Sequence, residues 1–496
     1  MKRSFYLIIF LLTNLFFLEI KCTDTQCQNK LGLKNHYSQS NIFTRPAYFN
    51  IEAWQAFWHN IIYCNPENLN TSAQVMMFYQ KSSDNAPTKK NQKISEYFLM
   101  KDRHFLTVKG DLVGTSTIRD IRAEWLQLSD DFTGTFSLFP EQKQIAFVLD
   151  IKQNLRGCFS CSLLEYFWLG FSAVIESVDN DLNLVQDVPN NQKPTIIDAL
   201  RRPNLTYGKF YGKSATAGFT ELRFKFGTEF NFRDDCQVNA HTYLLFPLAE
   251  NPNPNVVFPA FRGFGNHFGL GTVVDFQVPL NCRRSPYLFA LNFDIEMLYL
   301  FRNKQLRSMD LRNKPWSRYL LLNKSDGTIT NIPAINVLTR KVKVDPYYMI
   351  DLSAGFRFRQ NNFEAEVGYG LWAHSDERLR LEECFLAEWG IAGKPGDLTP
   401  EGIPATASES TIAKLAPTDK DEKGNFIFVP IQENQIDLYS GGARGTITHR
   451  INIALGYTLR GDRNNGFVGI GGFFEIPQNN CALQQWGFWA KIGSTF

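Results

Sequence analysis

The chain has 496 residues and a net charge of +3, with 44% hydrophobic, 14% aromatic and 20% charged side chains. So small a charge excludes a protein that lives on counterion release from nucleic acid, and so high an apolar content excludes a disordered chain. A mean hydropathy of -0.24 excludes a bundle of membrane helices.

Lys2 and Arg3 precede an apolar run from Phe5 to Leu18, which Glu19 ends. These flanks and this length predict a signal peptide over residues 1–22 rather than a spanning helix. The chain is therefore expected to be exported, and to enter a membrane, if it does, as strands.

Residues 23–70 form a periplasmic or plug segment. Trp54, Phe57, Trp58, Ile61 and Ile62 have helical spacing and predict a short amphipathic helix. Such a helix could cap one end of a barrel, lie at its mouth or plug it. The capping role is the plainer of these.

Strand candidates follow at 73–80, 104–113, 121–128, 132–139, 144–151 and 161–177. Residues 178–219 read as loop, with Pro189, Pro194 and Pro203 among many Asn. From Leu222 onward, period-2 alternation dominates. Leu222, Phe224, Phe226 and Phe230 alternate with Arg223, Lys225, Gly227 and Glu229. Phe268, Leu270, Val274, Phe276 and Val278 alternate with Gly269, Gly271, Asp275 and Gln277. Phe289, Leu291, Phe293, Ile295, Met297 and Tyr299 alternate with Asn292, Asp294 and Glu296. Ile350, Leu352, Ala354, Phe356 and Phe358 oppose Asp351, Ser353, Gly355, Arg357 and Arg359. Gln360, Asn361 and Asn362 suit a tight turn. Phe363, Ala365, Val367, Tyr369 and Leu371 then oppose Glu364, Glu366, Gly368 and Gly370. Residues 393–430, rich in Pro, Gly, Thr and Asp, form the longest loop. Ile451 to Leu459 alternates with Asn452 to Arg460, and Val468, Ile470, Phe474 and Ile476 alternate with glycines and Glu475.

Successive strand side chains point to opposite faces. A soluble β-sandwich also alternates, but its strands run to about 5–6 residues, whereas a tilted membrane strand needs about 9–11. Several of these runs are that long. Charges share one face with glycines, which suits a wet barrel interior and not a lipid face. Tyr347, Tyr348, Trp372 and Phe301 near run ends are candidates for interface girdles. The fold expected is all-β, an antiparallel transmembrane β-barrel of about 14 strands (12–16), spanning 71–496.

The chain ends in a strand with Trp486, Phe488, Ala490, Ile492 and Phe496 on one face, and Gly487, Lys491, Gly493 and Thr495 on the other. Trp489 interrupts the polar face. A last strand closing on Phe496 resembles the C-terminal assembly signal of bacterial outer-membrane β-barrels. The resemblance is to this porin-like structural class and to no specific family. It implies an outer-membrane location, outer-membrane lipid and the barrel-assembly machinery as partners, and a possible homo-oligomer. It implies no nucleic-acid partner.

Chemistry is sparse. No GxSxG, HExxH, phosphate-loop or EF-hand pattern occurs, and no enzyme, cofactor or metal site is expected. Cys158 and Cys161 have CxxC spacing without a second pair, which is too little for zinc. Cys236 and Cys282 each follow a strand, so a loop bridge between them is possible. The inward charges are the candidate pore lining: Arg223, Lys225, Glu229, Asp275, Asp294, Glu296, Arg357, Arg359, Glu364, Glu366 and Arg460. Their functional reading is a constriction that orders small polar solutes. Their plainer reading is a salt-bridged, filled lumen. The function expected is a passive, charge-lined channel for small polar solutes. The alternatives are a non-conducting surface or adhesion barrel, and an uptake barrel for apolar substrates.

Overall fold

The computed structural model describes residues 38–58, 71–83, 94–113, 119–155, 166–231, 236–281, 285–326, 328, 330–392, 430–460 and 465–495. The signal segment, the continuation of the N-terminal helix at Ile61 and Ile62, the CxxC pair, Cys282, the loop 393–429 and Phe496 lie outside them.

Among the described residues, twelve strands close into one antiparallel barrel. In chain order they are β1 (Thr71–Ser82), β2 (Glu141–Asn154), β3 (Phe167–Asp181), β4 (Lys213–Asn231), β5 (Gln237–Pro247) and β6 (Gly269–Pro279). They continue as β7 (Tyr287–Leu300), β8 (Tyr347–Gln360), β9 (Phe363–His374), β10 (Thr446–Arg460), β11 (Asn465–Pro477) and β12 (Gln485–Thr495). Each pairs with the next, and β1 pairs with both β2 and β12, so no edge is left open.

Ser72 lies opposite Thr495, which puts both ends of the barrel chain at one rim. The strand ends joined by the connections after β2, β4, β6, β8 and β10 lie at that rim. The tightest of these connections, after β8, uses Asn361 at a left-handed φ of 55°. The strand ends joined by the long connections 83–140, 182–212, 248–268, 301–346 and 375–445 lie at the opposite rim, together with those joined by the short 478–484.

These long connections carry their own structure, a cap. Leu106–Lys109, Ile121–Arg122, Thr133–Ser137 and Val185–Asp187 form one small sheet, and Asn303–Ser308, Thr339–Asp345 and Arg378–Leu381 another. Apolar cores sit beneath them, one around Trp316, Phe136 and Phe210, another around Leu322, Val342 and Ile436. The count of about 14 is corrected here to twelve. The candidates 104–113, 121–128 and 132–139 alternate because they form cap strands, each too short to cross a bilayer. The loop expected over 178–219 shrinks to 182–212. β3 runs on to Asp181 and β4 begins at Lys213, making β4 19 residues long.

The two faces of the wall divide as the alternation demands. Phe224, Phe226, Leu270, Phe356, Val367, Ile453, Ile470 and Ile492 point outward and are 44–62% exposed. Arg223, Asp275, Asp351, Arg357, Glu364 and Arg450 point inward and are buried. Aromatic side chains mark both ends of the outer band: Tyr166, Tyr287, Phe363 and Tyr457 by the short turns, Phe301, Tyr348 and Phe268 by the cap. Trp372 is not among them. It faces inward at 1% exposure and stacks near Phe43 and His374. No helix among the described residues is long and apolar enough to cross a membrane.

The outward band makes a direct prediction. Ile453 lies mid-strand, and replacing it with Arg costs about 2–4 kcal/mol if it faces the bilayer core. Urea unfolding of the chain inserted in lipid vesicles should show that loss for Ile453→Arg and almost none for Ile453→Leu. An unchanged unfolding midpoint for the arginine variant would show that this face does not meet lipid.

Candidate functional site

The lumen is occupied. Residues 38–58 enter it beneath the cap and descend toward the short-turn rim, wrapped by the barrel wall. Only Ile51–Gln55 is helical. The amphipathic helix expected over 54–62 is therefore one short turn within the described residues. Its Trp54, Phe57 and Trp58 are buried in the lumen, each 6% exposed or less.

The upper end of the segment is tied to the cap. The Ser38 hydroxyl donates to the Asp310 carboxylate at 2.9 Å, and the Trp316 amide donates to the Ser38 hydroxyl at 3.0 Å. Arg318 donates to Asp310 at 2.6 and 2.9 Å and also to the Ser38 carbonyl. The Gln39 amide donates to the Tyr97 carbonyl and the Ser40 amide to the Ser440 carbonyl, each at 2.9 Å. Three different long connections thus grip three successive residues.

Below this, wall side chains take over. Arg45 donates to Glu475 on β11 and Gln80 on β1, each at 2.8 Å. The Ala47 amide donates to Gln144 at 2.6 Å, the Tyr48 hydroxyl to Glu221 at 2.7 Å and the Ile51 amide to Asp351 at 2.8 Å. Asp351 also receives Arg450 at 2.8 Å. Lys491 on β12 donates to the Ala53 carbonyl at 2.8 Å and sits over the rings of Phe57, Phe467 and Trp489. Lower still, Phe57 at a φ of 63° lies against Gly456 and Gly469. A Cβ at either glycine would come within 2.6 Å of its ring, so only glycine admits the phenyl group there. An unpaired charge in this dry interior would cost several kcal/mol, and these bonds avoid it.

The inward charges named from the sequence fall into separate clusters. Arg223 pairs with Glu221 at 2.6 Å and Glu296 at 3.2 Å, and lies over Trp54 and Tyr243. Lys225 pairs with Asp150 at 2.8 Å. Glu229 pairs with Lys152. Asp275 receives Asn239 at 2.7 Å and lies opposite Asp294 in the β6–β7 ladder. Arg357 bridges Glu364 at 2.9 Å and Glu366 at 3.1 Å and donates to Gln277 at 2.7 Å. Arg359 is half-buried, opposite Glu364 in the β8–β9 ladder. Arg460 is the last residue of β10, opposite Asn465. Most of these cations thus stand beside a carboxylate, while Asp275 and Asp294 are two carboxylates side by side. The residues that sequence reasoning left out are those that meet the segment: Arg45, Asp351, Arg450, Glu475, Glu221 and Lys491. Most were visible on the polar faces of the runs, but nothing in a single strand shows what a side chain meets across a lumen.

Among the described residues Cys236, Cys384 and Cys481 stand as free thiols; Cys282, the partner considered for Cys236, lies outside them. Burial pushes the Cys481 thiol up to about 12, which makes it inert.

Neither a protein-family model nor a curated protein sequence matches the chain. Solved structures with a similar course of the chain are outer-membrane β-barrels. One is an outer-membrane channel from Pseudomonas putida F1, at 8% identity and a TM-score of 0.38, over 86% of this chain and 96% of that one. A Pseudomonas aeruginosa FadL homologue has 8% identity and a TM-score of 0.28, over 94% and 99%. The transport unit of the Escherichia coli autotransporter AIDA-I has 8% identity and a TM-score of 0.25, over 90% and 95%. Likeness this distant concerns architecture and says nothing of activity.

Two predictions follow the grip on the segment. Arg45→Ala leaves the buried Glu475 with the more distant Arg450 guanidinium, at 3.9 Å, a change that approaches the cost of breaking a buried pair, about 3–5 kcal/mol, whereas Arg45→Ala with Glu475→Gln should recover part of that loss in urea unfolding. Full additivity of the two substitutions would show that the pair is not formed. In the cap, burial and the neighbouring Asp310 carboxylate push the Asp437 carboxyl up to about 6. A carboxyl raised in the folded state binds its proton there before the unfolded chain does, so cap stability rises as pH falls from about 6 toward 4. Proteolysis of the cap should slow over that window, and Asp437→Asn should remove the dependence.

Proposed function

We propose that this protein is a gated outer-membrane channel for small polar solutes, with residues 38–58 as the plug of its closed state. The long-connection rim with its cap faces the exterior and the short-turn rim the periplasm, the asymmetry usual for such barrels. One observation supports the reading above the others: the segment is held to the wall by hydrogen bonds and ion pairs, from Arg45–Glu475 down to Lys491–Ala53. Bonds of that kind exchange for bonds to water at a net cost of about 0.5–1.5 kcal/mol each, or about 1.5–3 where a charged group takes part. Withdrawal of the segment would uncover a lumen lined by Arg223, Lys225, Asp351, Arg357, Glu366 and Arg450.

The interior left by twelve strands is consistent with this. Eight strands are filled by their own side chains and sixteen leave an open channel. Twelve leave room for one additional stretch of chain. A charged wall favours hydrophilic permeants over apolar ones. A surface-binding role remains the second reading, favoured by the folded cap with its own apolar cores.

Planar-bilayer recording tests the proposal. The native chain should conduct rarely, in brief steps. Tyr48→Phe with Arg45→Met removes three wall bonds of the plug, those to Glu221, Glu475 and Gln80, while keeping bulk, and should raise the open fraction by at least about tenfold, the equivalent of 1.4 kcal/mol. Insertion of both proteins without any steps would reject the channel and leave the surface-binding reading.

A further inference from the structure

The plug does not fill the lumen evenly. Between it and the wall formed by β1–β7, a cavity of about 30 Å³ remains. Four buried polar atoms on its lining side chains have no hydrogen-bond partner: Gln55 Oε1 on the plug, Gln74 Oε1 on β1, Arg223 Nη2 on β4 and His241 Nδ1 on β5. All four residues are at most 8% exposed. A buried polar atom left unpaired costs about 1–3 kcal/mol, and four around one cavity is more than a stable wall leaves without a ligand.

We infer that this cavity is a binding site for hydroxyl groups, held by water while the plug is seated and by a small neutral polyol when the plug shifts. The water site rests on the cavity alone; polyol binding rests on the channel reading, because the polyol enters only when the plug shifts. Three features select the ligand. First, the space accepts two or three waters, since each needs roughly 10–15 Å³ of such volume. Second, the vacant positions mix acceptors (the two glutamine oxygens) with a guanidinium donor, and a hydroxyl both donates and accepts. Third, the cations around it already have partners: Lys225 with Asp150, Lys152 with Glu229, Arg223 with Glu221 and Glu296. An added ion would find no unpaired charge to repay its dehydration, whereas a neutral molecule has no such cost. The rings of Trp168 and Tyr243 complete the wall, with His241 between them at 5.0 and 6.4 Å. They offer flat apolar surface to the C–H face of a polyol.

Calorimetric titration in detergent micelles tests this on the full refolded chain carrying Tyr48→Phe and Arg45→Met, which loosen the plug, with glucose as the neutral probe and gluconate as its charged counterpart. Saturable glucose heat is expected, with gluconate at least about tenfold weaker. Gln74→Leu and His241→Phe each remove one polar position from the wall and should each weaken glucose by about three- to tenfold, the worth of one hydrogen bond. The phenyl variant retains the ring beside Trp168, and heat-dependent gel mobility shows whether each variant is folded. Absence of glucose binding by the folded plug-loosened chain would overturn the inference and leave the cavity to water alone. So would binding unchanged in both variants, or gluconate binding as well as glucose. A plug-loosened chain that conducts but does not bind glucose strikes this inference and spares the channel reading, whereas one that neither conducts nor binds strikes both.

Discussion

A closed sheet with a polar inner face has to satisfy that face. In a wide barrel, water does so. Here a segment of the chain occupies the lumen and excludes most of the water, so the charged groups of the wall must find partners among themselves or on the segment. Asp351 shows the consequence in one residue: it takes a guanidinium from Arg450 across the wall and a backbone amide from Ile51 on the segment. Glu475 likewise lies between Arg450 and Arg45. Remove the segment, and the wall loses partners at every level. Remove the wall charges, and the segment has apolar packing to hold it but nothing to fix its register.

Steric fit and electrostatics act together along the segment. Near the cap, hydrogen bonds from three connections fix Ser38, Gln39 and Ser40. In the middle, guanidinium and carboxylate groups pair beside Tyr48 and Trp54. Toward the short-turn rim, the wall gives way to glycines, and Phe57 and Trp58 fill the space they leave. Gly471 plays the same part for Trp489, whose ring lies 2.3 Å from where a Cβ would stand. Polar ties above and ring packing below allow the upper part to be loosened without the whole segment losing its seat.

The wall was legible in the sequence because a bilayer imposes a strict period of two on every strand. The faces read from Arg223 to Lys491 are the faces observed. The strand number was less legible, since cap strands such as Thr133–Ser137 alternate too, and only their length and connections separate them from spanning strands. The plug was the least legible part. Its side chains have helical spacing because three of them fill a lumen, while the backbone makes a single helical turn. A signal did exist. Trp168, Tyr243, Trp372, Trp489 and Phe467 stand on faces otherwise given to charges and glycines, and large rings have no reason to line a hydrated pore. Trp489 reads as an interruption of the polar face until Phe57 is placed against it. The glycines that alternate with Val468 and Ile470 carry no sign of the ring that packs on them.

Everything depends on the segment 38–58 being seated in the lumen of the native protein. Hydrogen–deuterium exchange of the chain in lipid bilayers measures this most directly. The amides of Ala47 and Ile51 donate to wall side chains, and those of Phe49, Trp54 and Ala56 to carbonyls within the segment. They should exchange as slowly as amides of the barrel strands, because opening them requires withdrawal of the plug. Exchange of these amides at the rate of an unstructured peptide, with the strands still protected, would show a vacant lumen and contradict the account.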